Sequence, residues 1–103
     1  MRVEVLYFDG CPNHAPTVER VKQIAADLGL EIGVEEIPVT SVDEAQRLRF
    51  LGSPTVRVNG VDIDPAARDR TNYALSCRVY LGVSGLPPDA LIAAALHSSA
   101  PPA

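Results

Sequence analysis

The amino-terminal part of the chain alternates between patterns that are typical of a strand, a helix and a second strand. Val3–Phe8 is a run of β-branched and aromatic residues that ends at an Asp-Gly turn signal. Apolar residues then recur at helical spacing over residues 18–28, and Gly29 marks the end of the helix. Leu30–Val39 has strand character again. Two strands joined by a helix form a βαβ unit, so we expect these strands to be parallel.

The next segment predicts a second helix and a β-hairpin. Ser41 and Glu44 form a capping box, and we expect the helix behind it to end at Gly52. Two short strand-like runs then flank Asn59-Gly60, a strong hairpin signal because both residues tolerate positive φ angles. An antiparallel pair is therefore expected after the βαβ unit.

One domain accounts for the whole pattern. A last helix begins within residues 87–89, and Ser98–Ala103 is predicted to be a disordered tail that follows a domain of residues 1–97. The predicted element order is β-α-β-α-β-β-α. We therefore expect an α/β fold with a central four-stranded mixed sheet and flanking helices.

Composition argues against several classes of partner. The 103 residues carry a formal net charge of −4, and the nine Lys and Arg residues form no basic stripe, which argues against nucleic-acid binding. No apolar run approaches the ~20 residues that a membrane-spanning helix needs, and the amino terminus has no secretory apolar region. We therefore expect a cytoplasmic protein without a membrane partner, and no motif indicates a cofactor or a metal.

Cys11 is the residue whose surroundings point most directly to chemistry. It lies in a polar loop before the first helix and is followed by Pro12, Asn13 and His14. A thiolate at a helix amino terminus is stabilised by the macrodipole and by unpaired N–H groups, and a protonated His14 adds positive charge. The polar loop argues against a cysteine that only packs in the core. We therefore predict a nucleophilic thiolate at Cys11.

Cys77 is the second of the two cysteines, and its role stays open between two interpretations. It acts as a resolving thiol that attacks a mixed disulfide or a sulfenic acid on Cys11, or it only packs. The neighbouring Arg78 either stabilises the Cys77 thiolate by its charge or is a solvated surface residue. Asp62 and Asp64 are expected on a solvated polar face.

Two motifs give the chain a resemblance to the thioredoxin-like superfamily over roughly its full length. The first is the C-P-N-H run that begins at Cys11 after a strand, and the second is Ser53-Pro54-Thr55 before a strand. The resemblance implies a thioredoxin-like fold with a cis peptide bond at Pro54 beside Cys11. It also implies that backbone next to Pro54 pairs with an extended substrate chain or with glutathione.

The chain departs from thioredoxins at a position that matters for mechanism. Their C-x-x-C motif has a second cysteine where this chain has His14, so no disulfide can form within the motif. The chain is more similar to small bacterial thioredoxin-like proteins with a single motif cysteine. The glycine pair that follows the hairpin in glutaredoxins is replaced by Asp62–Pro65, which weakens the expectation of glutathione binding.

Three functions remain open at this point. The first is a thiol–disulfide oxidoreductase: Cys11 attacks a disulfide of a protein or of a low-molecular-weight thiol, and Cys77 or an external thiol resolves the adduct. The second is a soft-metal or mercury-binding module similar to alkylmercury lyase, with Cys11, Cys77 and Asp9 as the candidate set. The third is a thioredoxin-fold interaction domain whose thiol is idle.

Overall fold

Strand β1 (Arg2–Tyr7) lies inside a four-stranded mixed sheet in the computed structural model, which describes residues 1–80, 83–84 and 86–99. The sheet order is β2-β1-β3-β4. Its other strands are β2 (Gly33–Pro38), β3 (Thr55–Val58) and β4 (Val61–Asp62). β1 pairs with β2 in parallel and with β3 in antiparallel orientation, and β3 pairs with β4 in antiparallel orientation. The predicted four-stranded mixed sheet is confirmed.

The connections follow the local signals of the sequence. Helix α1 (His14–Asp27) joins the two parallel strands, and Gly29 follows it with a φ angle of 70°. At the β3–β4 turn, Asn59 and Gly60 have φ angles of 50° and 85°. Both values lie in the left-handed region that a two-residue type I′ hairpin turn requires. The βαβ unit and the hairpin are therefore formed as expected.

Helices cover both faces of the sheet. Successive strand residues point to opposite faces, so the side chains of β1 divide between two apolar clusters. The larger cluster, with α1 and α3 (Asp89–Ser99), consists of Val3, Val5, Val18, Val21, Ala25, Val56, Val58, Ile63, Tyr80, Ile92 and Leu96. The smaller cluster, with α2 (Val42–Leu48), consists of Leu6, Val39, Ala45 and Phe50. The protein is therefore an α/β fold, with three α-helices around its main sheet in the described part of the chain.

Helix α2 begins where the sequence predicts but ends four residues before Gly52. The Ser41 Oγ atom accepts a hydrogen bond from the Glu44 N–H at 3.1 Å, as the capping box predicts. The helix ends at Leu48, however, and Arg49 follows it in the left-handed conformation with a φ angle of 56°. The prediction that Gly52 ends the helix is wrong, because Arg49 already ends it as a left-handed cap whose N–H donates to the Gln46 carbonyl at 3.3 Å.

The carboxy-terminal part contains elements outside the predicted order β-α-β-α-β-β-α. A short 3₁₀ helix covers Pro65–Ala67, and β5 (Val79–Tyr80) pairs with β6 (Val83–Ser84) in a separate two-stranded sheet. Helix α3 continues through Ser98 and Ser99, which had been assigned to the tail, and residues 100–103 of that tail lie outside the described residues. None of the helices in the described part is long and apolar enough to cross a membrane.

Candidate functional site

The loop that carries Cys11 leaves the carboxyl end of β1. The Cys11 N–H donates to the Phe8 carbonyl at 3.2 Å, and the Cys11 carbonyl accepts from the His14 N–H at 3.3 Å. Cys11 is half-buried and forms no disulfide. Helix α1 begins only at His14, with Asn13 as its N-cap residue. Cys11 therefore lies in the loop before the first helix, as predicted, three residues ahead of the first helical residue, and Pro12 lies in the preceding turn rather than in the first helical turn.

His14 is held by two neighbours that the sequence analysis did not identify. Its imidazole stacks on the Tyr7 ring with centroids 3.5 Å apart and planes within 6°. Its Nε2 atom lies 2.7 Å from the Glu36 Oε1 atom, an ion pair when the imidazole is protonated. Tyr7 and Glu36 belong to the parallel strands β1 and β2, and the register of these strands brings their side chains to the start of α1.

Pro54 follows a cis peptide bond, as the resemblance implies. Ser53 and Thr55 beside it are buried, and the Thr55 hydroxyl donates to the Gly52 carbonyl at 2.5 Å. The Ser53 Oγ atom accepts from the Phe8 N–H at 3.4 Å. Since Phe8 also accepts the hydrogen bond from Cys11, one residue connects the Cys11 loop with the residue before Pro54.

The segment that carries Cys77 lies along the same residue. Ser53 and Cys77 form an isolated parallel β-bridge, in which the Ser53 N–H donates to the Ser76 carbonyl at 2.7 Å and the Arg78 N–H donates to the Ser53 carbonyl at 2.9 Å. Cys77 itself is exposed and forms no disulfide. Ser53 therefore contacts the Cys11 loop through its hydroxyl and the Cys77 segment through its backbone.

Gly52 makes this close approach possible. Its φ angle is 121°, and a Cβ atom at this position would lie 2.8 Å from the Arg78 backbone nitrogen and 2.9 Å from the Arg78 Cα atom. Such distances are too short for any side chain to fit without a backbone shift. The glycine that the sequence assigned to a helix end instead lets two distant segments pack together.

Arg78 is buried, so the interpretation of this residue as a solvated surface residue is wrong. It is 1% exposed, and its guanidinium donates to both carboxylate oxygens of Asp62 at 3.0 Å and to the Thr55 hydroxyl at 3.2 Å. Burial is the largest single effect and opposes the charge, but the hydrogen bonds to Asp62 outweigh it together with the electrostatic effects of Tyr80, Asp62 and Asp64, and the pKa of Arg78 is raised. The charge of Arg78 is thus paired with the carboxylate of Asp62 inside the protein.

Asp62 and Asp64 are also buried, so the prediction of a solvated face is wrong. Asp62 pairs with Arg78, whereas the Asp64 side chain accepts from the Ala66 N–H at 3.0 Å and caps the 3₁₀ helix. Patterns among neighbouring residues do not reveal this arrangement, because Arg78, the partner of Asp62, lies on a distant segment. The one available signal was Asp62 in the strand-like run after Gly60, because a charged residue there is rarely buried without a partner.

Neither a metal-ligand cluster among the described residues nor a match to a known protein identifies the chemistry of this site. Within the described ranges, His, Cys, Asp and Glu residues form no group of three or more that could hold a metal ion. No protein-family model matches the chain, and no curated protein and no solved structure matches it either.

Proposed function

We propose that the protein is a thioredoxin-like thiol–disulfide oxidoreductase in which Cys11 is the nucleophile. One observation carries the proposal: Ser53, the residue before the cis proline, binds the Cys11 loop through its hydroxyl and the Cys77 segment through its backbone. The segment that carries Cys77 is therefore bound to Ser53, and so is Phe8, the residue from which the Cys11 loop starts. This arrangement suits chemistry in which one thiol attacks a disulfide and a second thiol completes the exchange.

The thioredoxin-like assignment is supported by features of the main sheet. The parallel β1–β2 pair joined by α1 and the antiparallel β3–β4 hairpin follow the order that the resemblance implies. The cis bond stands at Pro54, directly before β3. Fold alone does not specify function, so the proposal rests on the placement of the thiols rather than on the sheet.

The proposed exchange proceeds in two steps. The Cys11 thiolate attacks one sulfur of the substrate disulfide, the substrate S–S bond breaks, and half of the substrate leaves as a thiolate that takes a proton from water. A second thiolate, that of Cys77 or of a low-molecular-weight thiol, then attacks the Cys11 sulfur and releases the other half. The substrate gains two electrons, and the two attacking thiols lose them as they form a disulfide.

His14 contributes to this site through charge and position. Its backbone N–H binds the Cys11 carbonyl, and its ring is fixed between the Tyr7 ring and the Glu36 carboxylate. A protonated imidazole so placed adds positive charge near the thiolate. The Glu36 carboxylate is the counter-ion of this imidazole when the ring is protonated.

The proposal is tested by comparing two single-thiol variants, Cys77→Ser and Cys11→Ser. Each is incubated with the disulfide of 2-mercaptoethanol, and formation of the mixed disulfide is followed by mass spectrometry. Accessibility alone predicts that the exposed Cys77 reacts faster than the half-buried Cys11. We expect the reverse, at least a ten-fold faster reaction of Cys11, because thiolate character dominates the rate of exchange.

The wild-type chain supplies the second measurement. In Cys77→Ser, the mixed disulfide on Cys11 should accumulate. In the wild type, the same adduct should be converted to an internal Cys11–Cys77 disulfide, with release of the bound half of the substrate. If Cys77 is not the resolving thiol, added 2-mercaptoethanol should resolve both proteins at the same rate. A Cys11 thiol that reacts no faster than Cys77 would sink the proposal and favour an interaction domain with an idle thiol.

A further inference from the structure

A cavity of about 300 Å³ lies outside the cysteine site, and arginines dominate its lining. It is formed by the end of α2, the β3–β4 hairpin and the segment after the 3₁₀ helix, and neither cysteine lines it. Its charged and aromatic lining consists of Arg49, Arg57, Arg68, Arg70, Tyr73 and Asp62. Four of the nine Lys and Arg residues therefore surround one concavity in a chain whose net charge is −4.

The four guanidinium groups have no carboxylate partner among the residues that the structure describes. Arg57 donates through Nη2 to the Leu48 and Arg49 carbonyls, both at 2.7 Å, and Arg68 donates through Nε to the Asp62 carbonyl at 3.0 Å. These bonds to backbone oxygens orient the two side chains but leave their charge uncompensated. The side chains of Arg49 and Arg70 form no hydrogen bond or ion pair with any described residue.

The carboxylates near this cluster form no ion pair with it in the described part of the chain, and Glu4, which faces Arg57 across the β1–β3 pair, binds Arg2. Asp62 lines the cavity, but both of its oxygens bind Arg78. Asp69 lies between Arg68 and Arg70 in the sequence and forms no ion pair within the described ranges. Burial, the largest effect, lowers the pKa of Arg57, against the smaller opposing effects of Asp62 and Glu4. A bound anion would relieve this unfavourable concentration of positive charge.

We propose that this cavity binds a small molecule that carries a multiply charged oxyanion of the phosphate-monoester class. The planar guanidinium group of arginine donates two parallel hydrogen bonds that match the oxygen geometry of phosphate. Several guanidinium groups around one cavity match an anion with more than one charge. The volume is that of a small-molecule site. The half-buried Tyr73 ring at its edge offers a surface on which a planar group of the ligand can stack. The net negative charge of the chain disfavours a long polyanion.

The proposal is tested by isothermal titration calorimetry of the full chain at about 0.15 M salt, where weak surface attraction is screened. The probes are inorganic pyrophosphate, adenosine monophosphate, citrate and a short single-stranded oligonucleotide. We expect measurable binding of pyrophosphate and of adenosine monophosphate, with weaker binding of citrate and of the oligonucleotide. Loss of a charged hydrogen bond should weaken the binding about ten-fold or more in Arg49→Gln and in Arg70→Gln.

Arg47→Gln is the matched control. Arg47 is an exposed residue of α2, two positions from Arg49, and it does not line the cavity. Its substitution removes the same charge and should leave the affinity within about two-fold, as expected for a long-range effect screened by salt. Equal weakening by Arg47→Gln and Arg49→Gln, tighter binding of citrate or of the oligonucleotide, or no heat with either phosphate probe each overturns the proposal. Thermal melting confirms that every variant is folded, and the readout does not involve the cysteines.

Discussion

Tyr80 is a buried phenol whose neutral form the fold requires. Its hydroxyl donates to the Pro54 carbonyl at 2.6 Å, and the guanidinium of Arg78 lies 4.6 Å from the centre of its ring. Burial raises the pKa of Tyr80 well above its usual value, against the opposing effect of the Arg78 charge. At residue scale, Tyr80 therefore links the stability of the fold to alkaline pH, and it does so at its contact with the cis proline, Pro54.

The stability of the protein should therefore fall at alkaline pH. Below about pH 10 the phenol is protonated in both states, and Tyr80 adds no pH dependence. Above it, the unfolded chain loses this proton while the native protein keeps it, so the free energy of unfolding should fall by up to ~1.4 kcal/mol per pH unit. Urea unfolding from about pH 9 to pH 11 measures this slope.

Two phenylalanine variants separate Tyr80 from other alkaline groups. Tyr80→Phe removes the buried phenol, so its stability should depend less steeply on pH than that of the wild type. Tyr73→Phe removes a half-buried phenol elsewhere and should keep the wild-type slope. An equal pH dependence of the free energy of unfolding in the wild type and in Tyr80→Phe would show that burial does not keep the Tyr80 phenol protonated.

Single residues also show where prediction from the sequence ends. The capping by Ser41 and the positive φ angles of Asn59 and Gly60 depend on neighbours in the chain, and the sequence identifies them correctly. The burial of Asp62 and Arg78 depends on a contact between distant segments. Nothing in the composition around either residue encodes that contact, so both had been expected at the surface or beside a thiol.

At the scale of elements, the Asp62–Arg78 pair fastens the Cys77 segment to the edge of the main sheet. Asp62 belongs to β4, the Thr55 hydroxyl at the start of β3 completes the contact, and Arg78 immediately precedes β5. Asp62→Asn should lower the free energy of unfolding by about 3–5 kcal/mol, because it leaves a buried guanidinium charge without a partner. Urea unfolding followed by circular dichroism measures the loss.

An exposed pair of the same type provides the control for this prediction. Arg2 and Glu35 connect β1 with β2 at 2.7 Å, but their side chains are 62% and 53% exposed. Glu35→Gln should have a far smaller effect because water and salt already screen this pair. The double variant Asp62→Asn, Arg78→Met should recover part of the loss, since it removes the unpaired charge. A loss for Asp62→Asn no larger than that for Glu35→Gln would contradict the assigned role.

Element order was easier to predict than element contacts, for a physical reason. The βαβ unit and the hairpin follow from periodicity and from turn residues, which act within a few positions. The β5–β6 pair and the bridge between Ser53 and Cys77 join short segments whose partners are set by packing of the whole chain. The loop position of Cys11 therefore follows from local signals and the cis bond at Pro54 from the resemblance, while the position of Cys77 came only from the structure.

At the scale of the whole molecule, the two parts of the candidate site depend on one tight crossing at Gly52. The residue stands between the end of α2 and the cis proline, and its backbone lies against that of Arg78. Any side chain here would push the Cys77 segment away from Ser53. The sheet, the cis proline and the second thiol are thus coupled through a position that carries no chemistry of its own.

Gly52→Ala should therefore destabilise the protein more than a substitution that only strains the backbone. Gly29 also has positive φ, but a Cβ atom there would meet nothing within 4 Å, so Gly29→Ala should cost about 1 kcal/mol. Gly52→Ala adds overpacking against the Arg78 backbone, and we expect roughly 2–4 kcal/mol in total. Native-state hydrogen exchange should show faster exchange of the Ser53 and Arg78 amides, whose hydrogen bonds form the bridge. Equal costs for the two alanine variants, or unchanged exchange at these amides, would mean that the crossing at Gly52 does not hold the Cys77 segment in place.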